Sequence, residues 1–244
     1  MSEKANHHFA GMLALSLAIV LAALIAAGAI RQVKRAADTI SVTGSAKQPI
    51  RSDYVIWRGS VSSQQPSLQE AYRDVQNHAQ SLHRFLRDNQ VPDSLVTLKP
   101  PDTYQIPESF PDGRTTGRIL AYNMRQTFEI RSFDVDGVSA LSARSAELIN
   151  EGVQLELYPL EYYYTRLSDL RTEMLAQAAA DARRRAESIA SSVGSKIGPV
   201  RSARMGVFQI TARNSTDVSD YGIYDTSSLE KDITAVVSIT FAVR

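Results

Sequence analysis

Apolar side chains recur along this chain in three rhythms, and each rhythm predicts a kind of element. Phe9 to Ile30 is an apolar run with no charged side chain. At 1.5 Å per residue, such a run makes a helix of about 33 Å, enough to cross the hydrocarbon core of a bilayer. Period-two alternation predicts strands over 40–44, 55–61, about 95–105, 120–131, 153–157, about 202–211 and 233–243, the last carrying Ile233, Ala235, Val237, Ile239, Phe241 and Val243 on one side. Pro49 and Asp53 mark a turn between the first two strands. Period-3.6 stripes predict helices over about 66–89, 134–150 and 167–193.

The third helix organises the rest. Leu167, Leu170, Met174, Ala178, Ala182, Ala186, Ile189 and Val193 form its stripe, and Gly194 followed by Gly198 and Pro199 ends it. A helix lined by alanine needs a sheet close against it. The first helix carries Leu68, Ala71, Tyr72, Val75, Ala79, Leu82 and Leu86, with Ser67 and Glu70 spaced as a capping box. Asp134 caps the second, whose inward residues are Val138, Leu141, Ser145, Leu148 and Ile149. Residues 106–117 and 214–231 read as polar loops, with Asp112 and Gly113 at a hairpin tip. Helices interspersed with hairpins predict an α+β domain: a mainly antiparallel sheet with helices packed on one face, preceded by a single N-terminal transmembrane helix. The expected organisation is a tail and anchor over 1–35 and one domain over 36–244.

Composition narrows the chemistry. There is no cysteine, which excludes disulfides, thiolate catalysis and cysteine-ligated metals. The net charge of +1 leaves no basic stripe for nucleic acid. No phosphate-cradling glycine loop, nucleophile elbow or His-Glu-x-x-His motif is present. His7 and His8 lie on the tail, while His78 and His83 fall on different faces of the first helix, so neither pair reads as a metal site. Asp102, Glu108 and Asp112 at the hairpin tip read as solvated charges, as do Asp217, Asp220 and Asp225 in the late loop, where a weak divalent-cation site is the alternative. Tyr162, Tyr163 and Tyr164 read as an amphipathic rim or subunit contact, and Trp57 as a core or interface anchor. No catalytic, cofactor-binding or metal residue emerges, and no enzyme activity is expected.

The apolar run has two readings, an uncleaved anchor or a signal peptide cut near Ala26 to Ala29, and its length favours the anchor. Arg31, Lys34 and Arg35 on its C-terminal flank would, by the positive-inside rule, keep the following domain in the cytoplasm.

One segment resembles a known family. Asp181, Ala182, Arg183, Arg185, Ala186, Glu187, Gly194, Ile197, Gly198 and Val200 match the alanine-rich helix and exit of the SIMPL-domain family of bacterial envelope proteins. Val42 to Gly44, Arg118 to Asn123, Asp134 to Val138, and Gly152 with Val153 support the match. Asn89 and Gln90 depart from it, standing where a glycine commonly follows the first helix. The resemblance implies an extracytoplasmic α+β domain that self-assembles into rings or cages, without an agreed enzymatic activity or cofactor, some members being linked to oxidative-stress tolerance. The expected protein is thus a single-pass inner-membrane protein with a periplasmic domain, partnered by the lipid bilayer through residues 9–30 and by copies of itself. The alternative is a periplasmic sensor of a small ligand or cation.

Overall fold

The fold comes from a computed structural model that describes residues 19–26, which are helical, and 38–244. Most of the expected span 9–30 lies outside these residues. Among the described residues no helix is long and apolar enough to cross a membrane.

Among the described residues the strands form two sheets, where one was expected. The first contains β1 (Thr39–Arg51), β8 (Ile197–Met205), β9 (Gln209–Ala212), β10 (Ile223–Tyr224) and β11 (Glu230–Val243), in the order β1-β11-β9-β10 with β8 also on β11. The second contains β2 (Tyr54–Gln65), β3 (Val96–Leu98), β4 (Asp102–Ser109), β5 (Thr115–Ser132), β6 (Leu155–Leu157) and β7 (Glu161–Tyr163). There β5 and β2 are central, β3 and β4 lie beyond β5, and β6 and β7 beyond β2. β8 on β11 and every pair of the second sheet are antiparallel, and β9–β10 is parallel. The α+β class and the antiparallel preference therefore hold, but β1 and β2 belong to different sheets. Pro49 lies inside β1, and the turn after it is Ser52 and Asp53 alone.

Two compact units result. Unit 2 holds residues Gln48–Leu170 and Gln209–Ile233. Its helices are α1 (Leu68–Asp88), α2 (Val135–Arg144) and α3 (Glu147–Asn150). The stripe Ala71, Val75, Ala79, Leu82 and Leu86 of α1 is buried with Val55, Trp57, Val61, Met124, Phe128 and Ile130 of β2 and β5. Trp57 meets Phe128 edge-on at 5.3 Å. Gly59 lies beneath that ring, where a Cβ would come within 2.7 Å of it. The helix expected over 134–150 is two pieces, because the buried Ser145 donates its hydroxyl to Ser142 O at 2.6 Å and the chain turns there.

The described residues of unit 1 are 19–26, 38–47, Arg171–Phe208 and Thr234–Arg244. The unit contains most of α4 (Leu167–Ser192). Met174, Ala178, Ala182, Ala186 and Ala190 are buried. Alanine brings this helix so close that a Cβ on Gly44 of β1 would overlap the Ala178 carbonyl oxygen and the Ala182 backbone. Here the expected stripe needs correction. Ile189 and Val193 are 49% and 72% exposed. Burial follows strict four-residue steps from Leu170 to Ala190, so the small residue rather than the large one meets the sheet.

Three further expectations change. The strand over 95–105 is broken by Pro100 and Pro101 into β3 and β4, since proline cannot donate to a ladder. Residues 106–117 are largely strand, with pairing out to Ser109 and Thr115 and only the tip around Gly113 turning. The strand over 202–211 is two strands, interrupted at 206–208, and the loop 214–231 contains β10 and the start of β11.

Candidate functional site

Unit 2 gathers the polar groups that sequence patterning left scattered. On the sheet face opposite Trp57, Arg58 donates Nε to Glu129 at 2.6 Å and a terminal nitrogen to Glu161 at 2.5 Å. Arg131 donates to the other Glu129 oxygen at 2.5 Å, and the Tyr163 hydroxyl to Glu161 at 2.6 Å. The bond from Arg58 holds the Glu129 carboxyl below its ordinary range, and that to Glu129 raises Arg58. Hydrogen bonding to Glu161 raises the Tyr163 phenol. Each charge is neutralised by a neighbour, so this network fixes strands rather than offering an acid or base.

Lys231 was missed. It is 1% exposed and donates Nζ to the carbonyls of Tyr162 at 2.6 Å and Asp225 at 2.5 Å. Burial lowers its pKa. A lysine so shifted is a nucleophile in principle, but here both bonds tie it to backbone carbonyls in a buried position. It works as a clamp on the late loop. Burial opposes ionisation of Asp225, yet hydrogen bonds from Ser227 and Ser228 hold its carboxyl below the usual range. The signal was available: carrying the β11 alternation back from Ile233 puts Lys231 at an inward position.

A cleft of about 350 Å³ opens beside the end of α1 and the face of α2. Val91, Pro92, Leu95, Val138 and Leu141 give it apolar walls, and Asn89, Gln90, Asp134 and Arg144 a polar rim. Gln90 has φ of 62°, the left-handed conformation that glycine takes at least cost. Asp134 accepts from Gly137 N at 2.9 Å, capping α2. Arg144 donates to Asn89 Oδ1 at 2.9 Å and reaches Glu147 at 3.3 Å. Asn89 and Glu147 hold the guanidinium from two sides, and its remaining N–H groups, above apolar walls, suit a small molecule with one acceptor group.

The residues weighed from sequence are not brought together. His78 and His83 are partly exposed: His78 Nδ1 donates to Ser62 O at 3.0 Å, and His83 lies 3.4 Å from Asp93. Asp112 pairs with Arg114, Glu108 accepts from Thr116, Asp217 from Ser215, and Asp225 from Ser227. Among the described residues no three metal-type ligands converge. Tyr162, Tyr163 and Tyr164 are half-buried and engaged within unit 2, Tyr162 with Ser139 and Tyr164 beneath Arg166. In unit 1, Arg183 pairs with Glu187, and Arg184 and Arg185 share Asp181.

Residues 40–241 match the family described as SIMPL, protein of unknown function (DUF541). No curated protein matches. Among solved structures, similarity is found to a de novo designed protein, Foldit4, with 12% identity over 46% of this chain and 99% of that one, TM-score 0.23. A hydantoinase/carbamoylase family amidase from Burkholderia ambifaria aligns at 14% identity over 47% of this chain and 29% of the amidase, TM-score 0.25. An uncharacterized conserved protein from Listeria innocua aligns at 9% identity over 78% and 91% of the two chains, TM-score 0.21.

Proposed function

The chain belongs to the SIMPL family, and from that premise we propose a non-enzymatic envelope scaffold, anchored in the inner membrane by residues 9–30, with 36–244 in the periplasm, self-associating into a ring or cage and contributing to stress tolerance. The observation that carries the reading is the β4–β5 hairpin of unit 2. Among the described residues β4 pairs only with β5, which leaves its other edge open, and Tyr104, Phe110, Ile119 and Leu120 along the hairpin are 43–62% exposed. An open edge flanked by apolar side chains is a ready surface for a second copy. Mass photometry of the intact protein in detergent is expected to give a multiple of the chain mass, and Tyr104→Glu with Leu120→Glu to reduce it to the monomer. A wild-type monomer at micromolar concentration overturns the scaffold. A cysteine placed at Thr216 should react with a membrane-impermeant maleimide added outside spheroplasts; labelling only after lysis overturns the periplasmic placement.

The cleft between Gln90 and Arg144 supports a second reading, a sensor of a small amphipathic anion. Octanoate should raise the melting temperature of the wild type and not of Arg144→Gln. Equal shifts in both sink this reading.

A further inference from the structure

The two units carry opposite charge. The described residues of unit 1 hold nine Lys/Arg against four Asp/Glu, a net of +5, while unit 2 holds 14 against 21, a net of −7. Within unit 1 the basic residues are concentrated at one end. Val243 N donates to Asp38 O at 2.9 Å, and Lys196 and Arg244 exchange both backbone bonds at 2.8 Å, so the start of β1, the end of β11 and the exit of α4 lie together. The start of β8 joins them, with Ile197 opposite Val243 and Val200 opposite Phe241. Val42 and Thr43 share a shallow groove with Arg185 and Ile189, which brings the last turns of α4 to the same place.

This end exposes apolar side chains that no packing explains. Val193 is 72%, Val200 55% and Ile189 49% exposed. Around them stand Lys196, Arg201 and Arg244, all exposed and without an ion pair among the described residues. Two side-chain carboxylates lie at this end: Glu187, paired with Arg183 at 2.9 Å, and Asp38. The sequence adds Arg31, Lys34 and Arg35 just before β1. The apolar run ends at Ile30 and β1 begins at Thr39, so the tether spans no more than about 30 Å even when extended.

We propose that this end of unit 1 is a bilayer-contact surface: Val193, Val200 and Ile189 enter the interfacial zone while Lys196, Arg201 and Arg244 meet anionic phospholipid headgroups. Aliphatic side chains ringed by long cationic ones suit that boundary, where the apolar parts leave water and the ammonium and guanidinium groups stay at phosphate level. A short tether makes the encounter effectively intramolecular, so weak contacts suffice. The inference rests on the anchor reading but not on its orientation, because it asks only for anionic lipid in the facing leaflet.

The test uses the full chain in lipid nanodiscs, with a polarity-sensitive dye on a single introduced cysteine. Val193→Cys reports the surface, and Glu173→Cys, 20 residues earlier on α4 and about 30 Å away along the axis, is the control. In discs of about one-third phosphatidylglycerol in phosphatidylcholine, the Val193 dye should shift to the blue and be reached by a lipid-borne quencher. In pure phosphatidylcholine discs, and in the Lys196→Gln, Arg201→Gln, Arg244→Gln triple variant, it should return towards its aqueous spectrum. The Glu173 dye should stay aqueous throughout. A chain that co-purifies with discs while its Val193 dye is equally wet in both lipids overturns the surface and leaves the anchor standing. Equal quenching in the triple variant also overturns it, and a chain that elutes free of lipid overturns anchor and surface together.

Discussion

Unit 1 and unit 2 solve the same problem, a helix on a sheet, with opposite materials. In unit 2 large side chains fill a thick interface: Trp57, Phe128 and Ile130 are fully buried beneath the Val75, Leu82 and Leu86 stripe. In unit 1 four alanines of α4 are almost wholly buried, and β1 offers Gly44 where the two backbones approach. The first arrangement gains stability from the area that large side chains remove from water, the second from close approach, and they fail differently. A thick core suffers when volume is removed, a thin one when volume is added.

Substitutions at these places test that contrast. Trp57→Ala should cost the most, about 3–5 kcal/mol, read as a lower urea midpoint with exchange rising first in the β2–β5 ladder. Gly44→Ala adds one methyl against backbone that cannot step aside and should cost about 1–3 kcal/mol. Hydrogen exchange should quicken in α4 while the β2–β5 ladder stays protected; equal loss in both would show that the units unfold together and that the contrast is only local.

Lys231→Met removes donors from two carbonyls and should cost about 1–3 kcal/mol near neutral pH. Its pH signature separates it from a packing defect. Burial depresses the lysine's pKa below the ordinary 10.5. Between the two values the unfolded chain binds more protons than the folded one, so this group makes stability rise with pH across the alkaline range up to about 10.5. Denaturant midpoints of the wild type should carry that contribution, and those of Lys231→Met should lack it. Gln90→Gly is the smallest change: relief of the left-handed backbone should gain about 1 kcal/mol, and a loss instead would mean that the Gln90 side chain is needed at the cleft rim.

Periodicity revealed most of the elements because burial on one face is written into residue spacing. It revealed the stripe of α4 imperfectly, since Ile189 outranks Ala190 in hydrophobicity while only Ala190 fits against a sheet this near. The two-sheet arrangement was hidden for a different reason. Alternation says which side of a strand is apolar, not which partner it takes, and nothing local in β1 or β2 records that their ladders separate after Asp53. The Arg58–Glu129–Glu161 network was equally unreadable, because its members meet across three strands. Gln90, by contrast, was visible as a departure from a glycine position, and it lands on a positive φ at the edge of the cleft.

The chain's interleaving affects the order of its synthesis. Thr43 of β1 shares a hydroxyl–hydroxyl contact of 3.0 Å with Ser238 of β11, 195 residues later. At about 5–20 residues per second a ribosome needs about 10–40 s to supply that partner. Until then the first strand to leave the tunnel has no strand to pair with, whereas the β2–β5 ladder is complete once Ser132 has emerged. A holding chaperone would find its substrate in the opening strand of the nascent chain.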